Sequence, residues 1–237
     1  MPDSLTALEQ LTQGTFIFAF FSMVAGSAFF FSQKNELSGG YRSSTAISGV
    51  ITLVAALTYF YMKDIYREAA LSDTERFPTV YRYIDWFITV PLMLVKFPVL
   101  LGLGARGASF MIRLVIVSLV MLVTAFIGEI TIGNNAMHYG FYGVSVLAWI
   151  YIIYSLGSAL SDLPDHVTEA KRVAIRRMFF FILIGWIIYP IGYLMPTFGV
   201  APDYRELLYN IGDVINKVGL GLVIVVGAVA ERRVRDA

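Results

Sequence analysis

Apolar residues run through this chain in blocks about as long as a bilayer crossing, with polar residues gathered between them. Uncharged runs occupy Leu11 to Gln33, Ser43 to Met62 and Met178 to Pro202, and a helical crossing needs about 20 residues. Leu114 to Gly128 is bounded by Arg113 and Glu129, and Ile130 to Ser161 is long enough for a polar turn, "GNNAMHYG", plus a full span. Leu207 to Ala230 is broken only by Asp213 and Lys217, and "RYIDWFITVPLMLVKF" at 82–97 is apolar apart from three charges. The pattern predicts helices over 11–33, 43–63, 80–104, 108–131, 139–161, 172–196 and 204–231. With such short connections, they form an all-α integral membrane protein: one seven-transmembrane-helix bundle in a single domain.

Composition agrees. Of 237 residues 57% are hydrophobic and 15% charged, and the mean hydropathy is +0.70, far from the profile of a soluble domain. The absence of cysteine excludes disulfides and thiolate metal sites, no metal site is expected, and a net charge of +1 gives no reason to expect nucleic acid. The start, "MPDSLTALEQ", has no basic n-region, so the first span is expected to insert without a cleavable signal.

Seven spans put the termini on opposite sides, and loop Lys and Arg residues choose the orientation. With the N-terminus outside, eleven face the cytoplasm (Lys34, Arg42, Arg106, Arg113, Lys171, Arg172, Arg176, Arg177, Arg232, Arg233, Arg235) against four outside (Lys63, Arg67, Arg76, Arg205). The expected topology is therefore N-terminus outside and C-terminus cytoplasmic. The three basic residues left over, Arg82, Lys96 and Lys217, all fall inside spans.

At 100° per residue, Arg82, Asp85, Thr89, Met93 and Lys96 share a stripe roughly 80° wide on the third helix. Intramembrane charge normally faces the bundle interior and marks an ion or proton path. Asp85 and Lys96 stand about 16 Å apart along the helix, too far to touch. Residue by residue, other readings stay open: Lys96 could snorkel to the headgroups, and Arg82 with Asp85 could be a buried structural pair. In "YNIGDVINKVGLGL", Asp213 and Lys217 are one turn apart and could be a plain salt bridge. Yet a desolvated lysine is also a nucleophile able to form a Schiff base with an aldehyde, and two aspartates could then act as counterions.

With those residues in place the chain resembles the microbial rhodopsins, in particular the proteorhodopsin-like light-driven proton pumps, from "FFFSQKNEL" to the last helix. The motifs that carry the resemblance are "RYIDWFITVPLMLV", "GWIIYPIGY" and "DVINK", in the family's order and spacing. The resemblance implies all-trans retinal bound covalently to Lys217 as a protonated Schiff base. It makes Asp85 the primary counterion and proton acceptor, Asp213 the second counterion, Arg82 their positive neighbour, and Thr89 a hydrogen-bond partner of Asp85. Trp86, Trp149 and Trp186 match pocket positions, completed by Tyr59, Met93, Tyr189, Pro190 and Tyr193, with Pro190 expected to kink the sixth helix and free a carbonyl. Without the family match, the tryptophans could be ordinary core. Met93 is of the kind found in green-absorbing relatives.

Two positions depart from the family's usual pattern. Lys96 stands where most members carry the carboxylate that reprotonates the Schiff base, as in a smaller branch with lysine there. Thr58, in "AALTYFYMKD", stands where a histidine usually pairs with the acceptor; His138 and His166 lie near predicted loops and cannot replace it. Glu129, in "FIGE", either helps release protons or is a solvated helix-end carboxylate. Tyr142 fills a site that is glycine in relatives binding a carotenoid antenna, so no such antenna is expected.

The implied function is outward, light-driven proton pumping across the cell's inner (plasma) membrane by a multi-pass protein that is not an enzyme. Its partners are the lipid bilayer, protons and, by family habit, further copies in a trimer or pentamer. Sodium pumps carry asparagine at the acceptor and aspartate at the threonine position, and chloride pumps a neutral acceptor; neither pattern is present. A photosensor signalling to a partner, an inward proton pump, and a seven-helix carrier unrelated to retinal are the other readings.

Overall fold

The computed structural model describes residues 4–72, 77–163 and 167–236; Arg76 and His166 lie outside them, as does the Arg106 side chain. The first five spans are each one helix: α1 (Ala7–Gln33), α2 (Gly39–Ala70), α3 (Val80–Leu101), α4 (Gly104–Ile130) and α5 (Asn135–Ser161). The sixth is broken into α6 (Glu169–Leu183), a 3-10 turn (Gly185–Ile187), α7 (Ile188–Leu194) and a second 3-10 turn (Met195–Phe198). The seventh comprises α8 (Pro202–Val214), a π-helical turn (Ile215–Gly219) and α9 (Leu220–Asp236). Seven segments are long and apolar enough to cross a membrane, and no strand occurs among the described residues. Large apolar side chains such as Phe21 and Tyr154, 62% and 71% exposed, face outward, as a lipid solvent requires.

Local chemistry moves several helix ends from where hydropathy puts them. α1 starts at Ala7 rather than Leu11 because Thr6 and Glu9 form a reciprocal capping box. α2 runs on to Ala70, well past the apolar limit, carrying Lys63, Asp64 and Arg67 on its last turns. α3 stops at Leu101, three residues before 104, because Gly102 takes the left-handed conformation (φ 66°) and its N–H bonds back to Pro98.

The break in the sixth span follows from Pro190. A proline lacks the N–H for the carbonyl four residues back and its ring crowds that turn, here Trp186, and the 3-10 turn lies over Gly185–Ile187. Neighbouring carbonyls freed there are taken by side chains: Trp149 Nε1 donates to Ile182 O at 3.1 Å and Asn216 Nδ2 to Gly185 O at 2.9 Å. Successive helices pack against one another, and α8 and α9 return to α1, α2 and α6 to close the bundle. Polar side chains line the interior, where α3 and the seventh span meet.

A Cβ on Gly102 would meet nothing within 4 Å, so Gly102→Ala tests backbone conformation alone. It is expected to cost about 1 kcal/mol, seen as a lower unfolding midpoint in detergent with no change in helix content.

Candidate functional site

The centre of the bundle is a lysine amine between two carboxylates. Lys217, on the π turn, donates to Asp213 Oδ2 at 2.8 Å and forms a still closer ion pair with Asp85 Oδ2; all three side chains are about 1% exposed. A π turn inserts an extra residue into the helix and is a frequent device at functional sites. Here it leaves Lys217 one turn beyond Asp213 while α3 brings Asp85 from across the bundle.

The two aspartates are held differently. Asp213 accepts from Tyr189 (2.7 Å) on Oδ1 and from Tyr59 (3.0 Å), Trp86 Nε1 (3.5 Å) and Lys217 on Oδ2. Asp85 has Lys217 on Oδ2, and its Oδ1 has no partner among the described residues. Asp213 is therefore a carboxylate tied down from several sides, whereas Asp85 keeps a buried oxygen with free capacity for a proton. Thr89 hydrogen-bonds Asp85 from one turn away, as expected, but through the backbone: its hydroxyl donates to the Asp85 carbonyl at 3.0 Å, the bond within its own helix that a threonine makes to the residue one turn back. Thr58 behaves likewise, donating to Val54 O and Ala55 O, and supplies no partner to Asp85.

Arg82 is a neighbour of the aspartates without touching them. It makes no hydrogen bond to either aspartate; its guanidinium turns to the end of the bundle away from Lys96, donating to Glu206 (2.7 Å) and Asn210 (2.8 Å). Its link inward is indirect, through a 3.4 Å bond to the Tyr59 hydroxyl that in turn donates to Asp213. Phe16, Phe77 and Tyr209 present ring faces to it within 5.2–5.5 Å.

Around it lies a buried network the sequence reading missed. Glu206 pairs with both Arg82 and Arg205, and Arg205 pairs with Glu129 at 3.0 Å. Thr79 and Tyr83 also donate to Glu129, so Glu129 is a shared acceptor, 7% exposed, rather than a solvated helix-end carboxylate. Arg205, counted above as a loop charge, is an interior residue. The signal was present: Glu206, Asn210, Asp213 and Lys217 recur every three or four residues, one polar stripe on the seventh span.

Beside the lysine lies an apolar cavity walled by aromatic rings. Trp86, Trp149, Trp186, Tyr189, Pro190 and Tyr193 line it, together with Tyr142. Trp86 and Tyr189 belong to both features, bonding Asp213 while forming the cavity wall. Of the other expected pocket residues, Met93 is buried in the core and Tyr59 is spent on Asp213; neither lines the cavity. His138, although near a helix start, is 1% exposed and stacks on Tyr193 at 4.6 Å, while Tyr193 donates to its backbone carbonyl. A buried primary amine next to an apolar, ring-walled cavity suits condensation with a long apolar aldehyde, and the two carboxylates would offset the charge of the resulting cation. The residues present therefore fit a covalently held polyene.

Lys96 does not snorkel. It is fully buried, its Nζ donating to Ser48 Oγ on α2 at 3.2 Å, while Ser44 Oγ approaches its carbonyl at 3.5 Å.

A helical bundle closed on a lysine between two aspartates defines a class, and the comparison with known proteins agrees. The chain belongs to the bacteriorhodopsin-like protein family, whose model matches residues 10–230. A green-light absorbing proteorhodopsin of Gamma-proteobacterium EBAC31A08 is 36% identical over 209 residues, covering 86% of this chain and 80% of the relative. The crystal structure of Exiguobacterium sibiricum rhodopsin superposes with a TM-score of 0.87 at 39% identity, covering 95% of this chain and 98% of that one. A blue light-absorbing proteorhodopsin from Med12 gives 0.79 at 33% identity, covering 93% and 99%.

Glu206→Ala would strand the buried Arg82 charge, and breaking such a pair costs roughly 3–5 kcal/mol. Glu206→Gln keeps hydrogen-bond acceptance and should lose clearly less. Denaturation midpoints of the two variants beside the parent protein check the order.

Proposed function

We propose that this protein is a retinal-binding, light-driven outward proton pump of the cell's inner membrane. Kinship with proteorhodopsins and bacteriorhodopsins supports light-driven proton pumping at the level of the family. The observation that carries the reading for this chain is the Lys217 amine, paired with Asp85 and Asp213, beside an aromatic cavity whose walls include the Trp86 and Tyr189 that bond Asp213. All-trans retinal, bound to Lys217 as a protonated Schiff base, would supply light absorption and an isomerisation that re-aims the attached nitrogen.

The protein's own residues do the rest. Asp213, held by Tyr59, Tyr189 and Trp86, keeps a fixed negative charge beside the Lys217 nitrogen. Asp85 takes the proton from that nitrogen, because its second oxygen has no competing donor. Arg82, anchored on Glu206, holds positive charge on the outward side and couples to Asp213 through Tyr59. Lys96, shielded by packing and bonded to Ser48, supplies a proton from the cytoplasmic side. Trp86, Trp186, Tyr189, Pro190 and Tyr193 form the slot that keeps the polyene extended and excludes water. Tyr142 lines the cavity wall, and its bulk at a position that is glycine in antenna-binding relatives supports a pump without an accessory carotenoid.

The test is illumination of retinal-supplied, unbuffered cells with and without a protonophore. Acidification abolished by the protonophore is expected; alkalinisation would mean inward transport, and no lasting change a sensor. Lys217→Ala should give no covalent pigment, and Asp85→Asn should keep colour but lose acidification. Lys96→Ala should slow thermal recovery after a flash by about a hundredfold, the usual scale for losing a positioned proton donor; unchanged recovery at all pH values would remove Lys96 from the mechanism.

A further inference from the structure

A second, more open cavity of about 420 Å³ lies at the Lys96 end of the bundle, where α2 begins and α9 ends. A single water needs only about 10–15 Å³ by such a measure, so the space has room for many. Its walls include Glu36, Glu169, Glu231, Arg232 and Arg235, and its inner edge is Tyr41. The Tyr41 side chain is 7% exposed, and its hydroxyl has no hydrogen-bond partner among the described residues. The same holds for Oε2 of Glu231, the carboxylate that the hydroxyl faces. A buried hydroxyl and a buried carboxylate oxygen that face each other without a well-formed hydrogen bond call for an explanation.

The position of Tyr41 supplies one. On α2, Tyr41, Ser44, Thr45, Ser48 and Thr52 recur every three or four residues and are all buried, forming one polar stripe along an otherwise apolar helix. From Tyr41 to Ser48 the stripe climbs about 10 Å, and Ser48 is the residue that receives the Lys96 ammonium. Between them Ser48 Oγ donates to Ser44 O at 3.0 Å, and the Thr45 hydroxyl, fully buried, is a further one without a partner. Tyr41 also belongs to the buried apolar cluster that contains Phe97, Leu100 and Ile224, so it stands where the open cavity meets closed packing. α9 comes close here: a Cβ on Gly227 would stand 3.6 Å from the Tyr41 hydroxyl. The Lys171 ammonium lies 5.6 Å over the Tyr41 ring.

We infer that Tyr41 and Glu231 form the entry gate through which Lys96 is resupplied with protons, the Ser44–Thr45–Ser48 stripe being the path between them. Glu231 collects a proton at the cavity wall and passes it to Tyr41. The tyrosine oxygen accepts that proton on a lone pair as it releases its own toward the stripe, so the hydroxyl is regenerated at each passage. The stripe delivers it to Lys96 Nζ after Lys96 has given its proton to the Lys217 nitrogen. This rests on the pumping reading above, of which it names the uptake residues.

The experiment is flash photolysis of the full-length pigment in liposomes, with light-driven pH change recorded on the same samples, for the parent protein, Tyr41→Phe and Glu231→Gln. Both variants should keep their colour and the rate of the first proton transfer to Asp85. Thermal recovery should slow about tenfold, and azide, whose acid form is a small permeant proton carrier, should restore the rate. Recovery at the parental rate in both variants would overturn the gate while leaving pumping intact. Slowed recovery that azide does not restore would also overturn it, as damage to packing. If the parent protein gives no light-driven pH change, the pumping reading itself fails.

Discussion

Removing an ammonium and two carboxylates from water costs several kcal/mol for each ion, recovered only when the charges sit in tight, hydrogen-bonded geometry. Lys217, Asp85 and Asp213 meet that condition at the middle of the bundle, and much of the surrounding structure can be read as the means of meeting it. Tyr59, Tyr189 and Trp86 saturate Asp213. The π turn sets the register of Lys217 against α3, and the broken sixth span brings Tyr189 and Asn216 into mutual reach. With Asp213 saturated, Asp85 is left as the carboxylate with an oxygen that no donor among the described residues occupies.

On either side of the triad the protein solves the same problem in two ways. Toward the Arg82 end it uses charge: Arg82, Glu206, Arg205 and Glu129 alternate in sign, each touching the next. Such alternation holds the groups in fixed places because displacing one would uncover another. Toward the Lys96 end it uses a single buried lysine bonded to a serine and packed near the apolar core. The first arrangement is a charged network already connected, the second a shielded group that the open cavity stops short of.

How much of this could be read beforehand differs by feature. The spans were legible because every residue facing lipid must be apolar, which writes each helix as a hydrophobic block. Asp213 and Lys217 were legible because they are one turn apart on one helix. Glu206 and Asn210 belong to the same stripe but were overlooked, since a glutamate near a span end reads as a headgroup-level residue. Arg205 and Glu129 could not be paired from sequence, because they come from different helices and their burial depends on how those helices pack. Thr89 has the spacing to reach Asp85, but only the side-chain rotamer decides that its hydroxyl takes the backbone carbonyl.

Hydrophobic blocks and in-span charges by themselves determined that the chain forms a seven-helix bundle with a charged interior stripe on the third and seventh helices. Periodicity along one helix fixes which side chains share a face, and the energetic cost of intramembrane charge fixes which face turns inward. Tertiary structure alone decided which of those charges meet. It gave Asp213 its several donors and left Asp85 with one, turned Arg82 from the aspartates to Glu206, and put Lys96 on Ser48. Those pairings depend on helix crossing, on the breaks in the sixth and seventh spans and on rotamers chosen by packing, and none of these is a property of spacing within a single helix.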